Sequence, residues 1–304
     1  MSATSNIRQA IQNLNPKKIH SLGERPLNIA LYAATPEDYR DIEAYLLDGL
    51  TEARRQESLT ALHRGPDPSR ALDFDLAIYD ESVITPRRSL VFRRDQPEQL
   101  VSDVLKDHED DLGIALARSF TPFRVPFAKR VIQRTSRENA LFSLATALPD
   151  VIPSVFEVPW AVTEFASDTA VLTANQVRMA FLLAAASDRE TGYREQKSEI
   201  ASVIGGAFGW RALARQLIGK VPFGGGLIPK AAIAYAATKL VGVSLERYYR
   251  VGYTYTRDER NQIYTQAFER GTGIVSQILK RVRPDLWEKH AARAEQDGLG
   301  ARRG

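Results

Sequence analysis

The chain contains no cysteine, and among its 304 residues there are only four histidines and two methionines. Without thiols it forms no disulfide, thiolate nucleophile, zinc–thiolate finger or iron–sulfur cluster, and a reducing cytoplasm is its natural compartment. The histidines, His20, His63, His108 and His290, are scattered, and none has a second histidine or a nucleophile at a useful spacing. The segment KDHEDD, Lys106 to Asp111, gathers carboxylates around His108 but follows neither a calcium-loop nor a zinc spacing, so a solvated helix end is expected there. No G-x-S-x-G elbow and no H-E-x-x-H helix occurs.

Long uninterrupted apolar runs are also missing. A spanning helix needs about 20 apolar residues. TAVLTANQVRMAFLLAAAS is interrupted by Arg178, IASVIGGAFGW is too short, and GLIPKAAIAYAATKLVGVSL carries Lys230 and Lys239. Their density, with Trp160 and Trp210 near the margins and Gly205 and Gly209 permitting close helix contact, suits hairpins that dip into one leaflet or a buried bundle. The N-terminal stretch MSATSNIRQAIQNLNPKKIH lacks the apolar core of a secretory leader, so a cytoplasm-facing protein is expected.

What is present is an ordinary folded composition, 44% hydrophobic and 26% charged, with a formal net charge of +4. The basic residues are uneven. Arg118, Arg124, Lys129, Arg130, Arg134 and Arg137 fall in one segment without an acidic residue, which favours an anionic partner such as phospholipid or nucleic acid. A solvated face with incidental sign bias is the plainer reading of the same run.

From Leu27 the chain reads as a strand, Leu27 to Ala33, feeding a helix. Thr35 suits the cap, Pro36 the first helical position and Asp38 the reciprocal capping position, while Tyr39, Ile42, Leu46 and Leu50 recur at helical spacing. Strands are expected at Phe74 to Asp80, around Leu90 and from Leu112 in LGIALA, with an amphipathic helix in PEQLVSDVLKD whose Leu100, Val101, Val104 and Leu105 face inward. The first half is therefore read as an α/β domain. After Arg137 strand patterns vanish and the second half reads as all-helical, ending in an amphipathic helix over Asp258 to Arg281 and a polar tail, ARRG, expected to fray.

The turn YAATPEDYRD, where a phosphate-binding loop would sit, has Ala33 and Asp38 in place of glycines and Tyr39 and Arg40 in place of lysine and a magnesium ligand. Glu37 and Asp38 place carboxylates at the helix N-terminus and would repel a polyphosphate. A second glycine-rich stretch, FGGGLIPKAA, matches the phosphate-loop spacing at Gly224 and Lys230 but fails at Pro229 and Ala231. Tyr79-Asp80 closing a strand could serve as an acidic magnesium partner or as an ordinary strand end.

The helical segments ALFSLATALPDVIP, TANQVRMAFLLAAASD and IASVIGGAFGWRALARQLIGKVPFGGGLIPKAAIAYAATKLVGVSLERYY resemble the bacterial helical domain of unknown function found behind Era-like GTPase domains and in YcjF-type inner-membrane proteins. The pieces that carry the resemblance are Gln176 to Met179 and Pro222, Gly225, Ala231 and Ala234 to Ala236, over about residues 138–250. The resemblance implies that the glycine-rich turn joins two apolar helices, with Trp210, Pro222, Phe223, Gly224, Gly225, Gly226, Leu227 and Ile228 forming an apolar hairpin and no phosphate role.

It also implies that the first half is a degenerate P-loop-GTPase-like domain. There is no D-x-x-G after Asp80, and Ala117 to Phe120 stands where a guanine-reading N-K-x-D would be, so no active-site residue carries over. The expected organisation is an extension over 1–24, the α/β domain over 25–137, the helical domain over 138–255 and the terminal helix and tail over 256–304. The expected function is a non-catalytic accessory or scaffold protein without cofactor or metal, peripheral or shallowly inserted at the cytoplasmic face of the inner membrane. Its partners would be phospholipid, a partner GTPase or a second copy. A divergent nucleotide hydrolase and nucleic-acid binding through Arg118–Arg137 stand as the alternatives.

Overall fold

The computed structural model describes residues 14–67, 73–146, 168–203 and 227–288, apart from Leu286 and some side chains near those limits. Along these residues run α1 (Pro16–Gly23), β1 (Ile29–Tyr32), α2 (Pro36–Leu46), α3 (Glu52–Leu59), β2 (Leu62–Arg64), β3 (Leu76–Asp80), β4 (Leu90–Phe92), α4 (Pro97–His108), α5 (Gly113–Ser119), α6 (Thr121–Ala145), α7 (Asp168–Ala186), α8 (Leu227–Val251) and α9 (Arg257–Val282). They fall into two compact units, one of Pro16–Arg130 with Phe181–Glu195, the other drawn from Val131–Ala180 and Gln196–Gly304. The division comes at residue 130 and is not contiguous, because α6 and α7 each contribute to both units.

The first unit is an α/β fold around a four-stranded sheet in the order β2-β1-β3-β4. All three pairings are parallel, with Ile29 opposite both Leu62 and Leu76, and Ile78 opposite Leu90. The central strand IALY is buried at every position, as a parallel strand covered on both faces requires. On one face Ile42 and Leu46 of α2, neither exposed, pack toward β3, and Tyr45 meets Phe92 with ring centroids 5.6 Å apart. The predicted inward stripe of α4, Leu100, Val101, Val104 and Leu105, is buried and adjoins β4.

One expectation in this unit is corrected. LGIALA is not a strand: Gly113–Ser119 forms α5, whose Gly113, Ile114, Ala115, Leu116 and Ala117 are all buried. A run buried on all sides has no period to distinguish strand from helix, and its alanines favour the helix. Between α2 and β3 the chain adds α3 and the edge strand β2, a strand too short and too exposed to show alternation in the sequence.

The second unit is helical among its described residues. Its core collects Ala231, Tyr235, Ala236 and Leu240 of α8 against Tyr264, Phe268, Val275 and Leu279 of α9. Backbones approach closely where side chains are absent: a Cβ on Gly242 would lie 2.7 Å from Ile132 and 3.0 Å from the Met179 sulfur. A buried amide network crosses this packing. Asn139 Nδ2 donates to Thr238 Oγ1 (2.8 Å), Asn175 Nδ2 to Asn139 Oδ1 (2.8 Å) and Gln176 Nε2 to Thr238 Oγ1 (3.1 Å). It ties α6, α7 and α8 in one register, since every partner is buried and a slip would leave amides unbonded.

Candidate functional site

In an open parallel sheet the ligand crevice lies beyond the carboxyl ends of the strands, where the strand order reverses. In β2-β1-β3-β4 that point lies between β1 and β3, so Ala33 to Asp38 after β1 and Asp80 to Ser82 after β3 form its walls.

The helix start on the β1 side is the predicted one. Thr35 Oγ1 accepts from the Asp38 N–H (3.2 Å), Asp38 Oδ2 accepts from the Thr35 N–H (3.0 Å), and Pro36 occupies the first turn. The Ser82 hydroxyl donates a second bond to Asp38 Oδ2 at 3.1 Å. The Ala34 N–H is directed to Ser82 Oγ (3.4 Å). Backbone donors that a phosphate loop would turn toward its ligand are thus bonded within the protein.

The other wall is organised by Arg94, just past β4. Its Nη2 donates to Asp38 Oδ1 (2.6 Å), its Nε to Asp41 Oδ2 (2.8 Å) and its Nη1 to Glu81 Oε1 (3.3 Å). The same Nη1 lies 3.3 Å from Asp80 Oδ2. Asp80 is completely buried; its Oδ1 accepts from the Ser82 N–H at 2.9 Å, while Oδ2 receives the ion pair but no hydrogen bond of its own. Four carboxylates therefore surround one guanidinium.

The electrostatics follow from these contacts. The bond to Thr35's side chain is the largest of several effects holding the Asp38 carboxyl below its ordinary value, with the Thr35 N–H, Ser82 and the Arg94 charge acting the same way against partial desolvation. Arg94 is held further toward its charged form, first by Asp41 and then by Asp80, Glu81 and Asp38. A triphosphate would meet an excess of negative charge, with the nearest cation already engaged.

The sequence pointed to Asp38 and Asp80 but not to Arg94, Asp41, Glu81 or Ser82. The only local sign was an arginine immediately after a strand of a parallel sheet, a position whose side chain can reach the same crevice.

The basic run does not form one open face. Arg118 lies 3.6 Å from Glu24 and 3.5 Å from Asp188 and donates to the Arg189 carbonyl at 3.3 Å. Arg124 donates to the carbonyls of Ala117 (3.1 Å) and Arg118 (3.2 Å), and Arg130 pairs with Glu109 (3.4 Å) and the Ser102 carbonyl (3.3 Å). Burial lowers the proton affinity of Arg118 and Arg124. Arg134 is half-buried, and Lys129 and Arg137 are exposed on α6.

Of the apolar hairpin, Trp210, Pro222, Phe223, Gly224, Gly225 and Gly226 lie outside the described residues, as do Trp160, Gly205, Gly209, His290 and the ARRG tail. Leu227 and Ile228 open α8, with Ile228 buried and Pro229 in the first turn, where proline is tolerated. Thr169–Ala186 is long and apolar enough to cross a bilayer by composition, yet 83% of it is buried within the protein, as in a core helix. Among the described residues no histidine or carboxylate cluster has the geometry to hold a metal ion. His20 contacts Glu24 (3.1 Å), His63 contacts Asn28 (3.3 Å) and His108 lies 3.7 Å from Asp111. No protein-family model, curated protein or solved structure matches the chain.

Proposed function

We propose that this protein is a non-catalytic accessory or scaffold protein, in which a degenerate GTPase-like α/β unit that holds no nucleotide is joined to a GTPase-associated helical domain. It acts at the cytoplasmic face of a membrane, on phospholipid or on a partner GTPase. The observation that carries the reading is the closed network of Arg94 with Asp38, Asp41, Asp80 and Glu81 at the ligand edge of the sheet. A sheet edge satisfied by its own charges serves as a rigid surface instead of a phosphate cradle.

Membrane contact in this reading is peripheral and electrostatic, resting on the exposed cations of α6. Each basic residue near an anionic surface contributes about 1 kcal/mol. Sedimentation with vesicles of phosphatidylglycerol and phosphatidylethanolamine tests it: binding at low salt, release at high salt, and weakening in the variant Lys129→Glu/Arg137→Glu support it. A protein that stays in the supernatant at every salt concentration contradicts the membrane arm and leaves a partner GTPase, read by affinity capture with purified GTPases, as the remaining surface contact.

A further inference from the structure

The helical unit contains a cavity of about 520 Å³, within the size range of small-molecule sites. It is built from the helical turn 197–203, α8, the loop after α8 and the first turn of α9. Its floor is aliphatic: Val203 and Leu240 are each 2% exposed, Leu245 is 8% exposed, and Val241 is half-buried beside them. Its rim is polar, formed by the hydroxyls of Ser198, Ser202 and Thr254 with the exposed guanidinium of Arg260.

Glu199 breaks the apolar pattern of the interior. This carboxylate lines the cavity at only 9% exposure. Among the described residues its one hydrogen-bond donor is the Ser198 hydroxyl, 2.7 Å from Oε2. The hydroxyl occupies one acceptor position on Oε2 and leaves the carboxylate with acceptor capacity and full charge at the cavity wall, so this group is set to receive a donor from whatever fills the cavity. Tyr253, next to rim-forming Thr254, and Val251, at the end of α8, are apolar groups left outward, 59% and 40% exposed. The Arg247 guanidinium stacks on Tyr253 at 5.0 Å and on Tyr255 at 4.4 Å, which fixes this amphipathic lip.

We infer that the cavity binds a single-chain zwitterionic amphiphile. Its aliphatic chain lies on Val203, Leu240, Val241 and Leu245, its ammonium pairs with Glu199 and its anionic group pairs with Arg260 at the rim. An alkyl chain alone would leave the Glu199 carboxylate unpaired, and a purely anionic head would be repelled by it. The site belongs to the helical unit alone and stands apart from the scaffold reading of the sheet edge.

Calorimetry of the full chain with lauroyl lysophosphatidylethanolamine below its micelle concentration tests the inference, with lauroyl lysophosphatidylglycerol and dodecanol as comparisons. One-to-one binding of the ethanolamine lipid in preference to both is expected. Glu199→Gln should weaken the ethanolamine lipid about tenfold, the loss of one charge-assisted pair, and narrow the preference over the glycerol lipid. Arg260→Gln should weaken both lysolipids and leave dodecanol unchanged. Val241→Trp, checked for native circular dichroism, should abolish binding by filling the cavity; if it misfolds, the two conservative variants still decide. Absence of binding, or binding insensitive to head group and to Glu199→Gln, overturns the inference.

Discussion

Arg94 Nη2 lies 2.6 Å from Asp38 Oδ1, joining the end of β4 to the first turn of α2 across the mouth of the sheet. The same guanidinium is the counter-charge of Asp80, which has no access to solvent. Arg94→Met is therefore expected to lower the urea midpoint, because it leaves Asp80 buried without its cation. Adding Asp80→Asn should recover part of the loss. Equal midpoints for the wild type and Arg94→Met would show the ion pair to be energetically silent.

The capping carboxylates make a pH prediction with a definite sign. The folded-state pKa of Asp38 is depressed from 3.8, chiefly by Thr35, and that of Glu259 from 4.5, chiefly by the Thr256 N–H. Groups depressed on folding contribute stability that is full above their unfolded values and is lost as pH falls through the folded ones. Stability should thus decline below about pH 4.5 as the Glu259 and Asp38 contributions are lost in turn. Urea midpoints measured between neutral pH and pH 2 should fall less steeply for Asp38→Asn than for the wild type below pH 4.

In the helical unit, Asn139→Leu is expected to cost about 1–3 kcal/mol, since it strips a donor from Thr238 and an acceptor from Asn175 inside a buried network. Denaturant unfolding with an unchanged slope reads this directly.

Gly242→Ala carries the opposite chemistry, an added methyl group. Alanine favours a helix over glycine by about 1 kcal/mol, but the new Cβ would sit 2.7 Å from Ile132. Overpacking of this kind costs about 1–3 kcal/mol, so net destabilisation is expected. Ile132→Ala in the same chain, which removes both crowding γ-carbons, should relieve it, whereas Ile132→Val, which keeps them, should not.

Local rules made α2 legible: Thr35, Pro36 and Asp38 specify the start of the helix within four residues, and the cap forms as read. The α4 stripe and α9 were legible for the same reason, each showing one apolar face at helical period. What escaped the sequence depends on partners far along the chain. Arg118 and Arg130 look like part of an open cationic run until Glu24, Glu109 and Asp188 arrive from segments that no local pattern connects to them. Arg94 is 53 residues from Asp41, and only the reversal of strand order between β1 and β3 brings the two together. Glu199 and Arg260 share a cavity in the same way, with α8 lying between them in sequence.

We propose that the sheet edge where a GTPase-like unit would cradle phosphate is filled here by the protein's own carboxylates and their arginine. Calorimetric titration of the full chain with GTP and ATP in the presence of magnesium tests it most directly. The account predicts no saturable heat for either nucleotide. One-to-one binding in the micromolar range, abolished by Thr35→Trp at the mouth of the crevice, would contradict it.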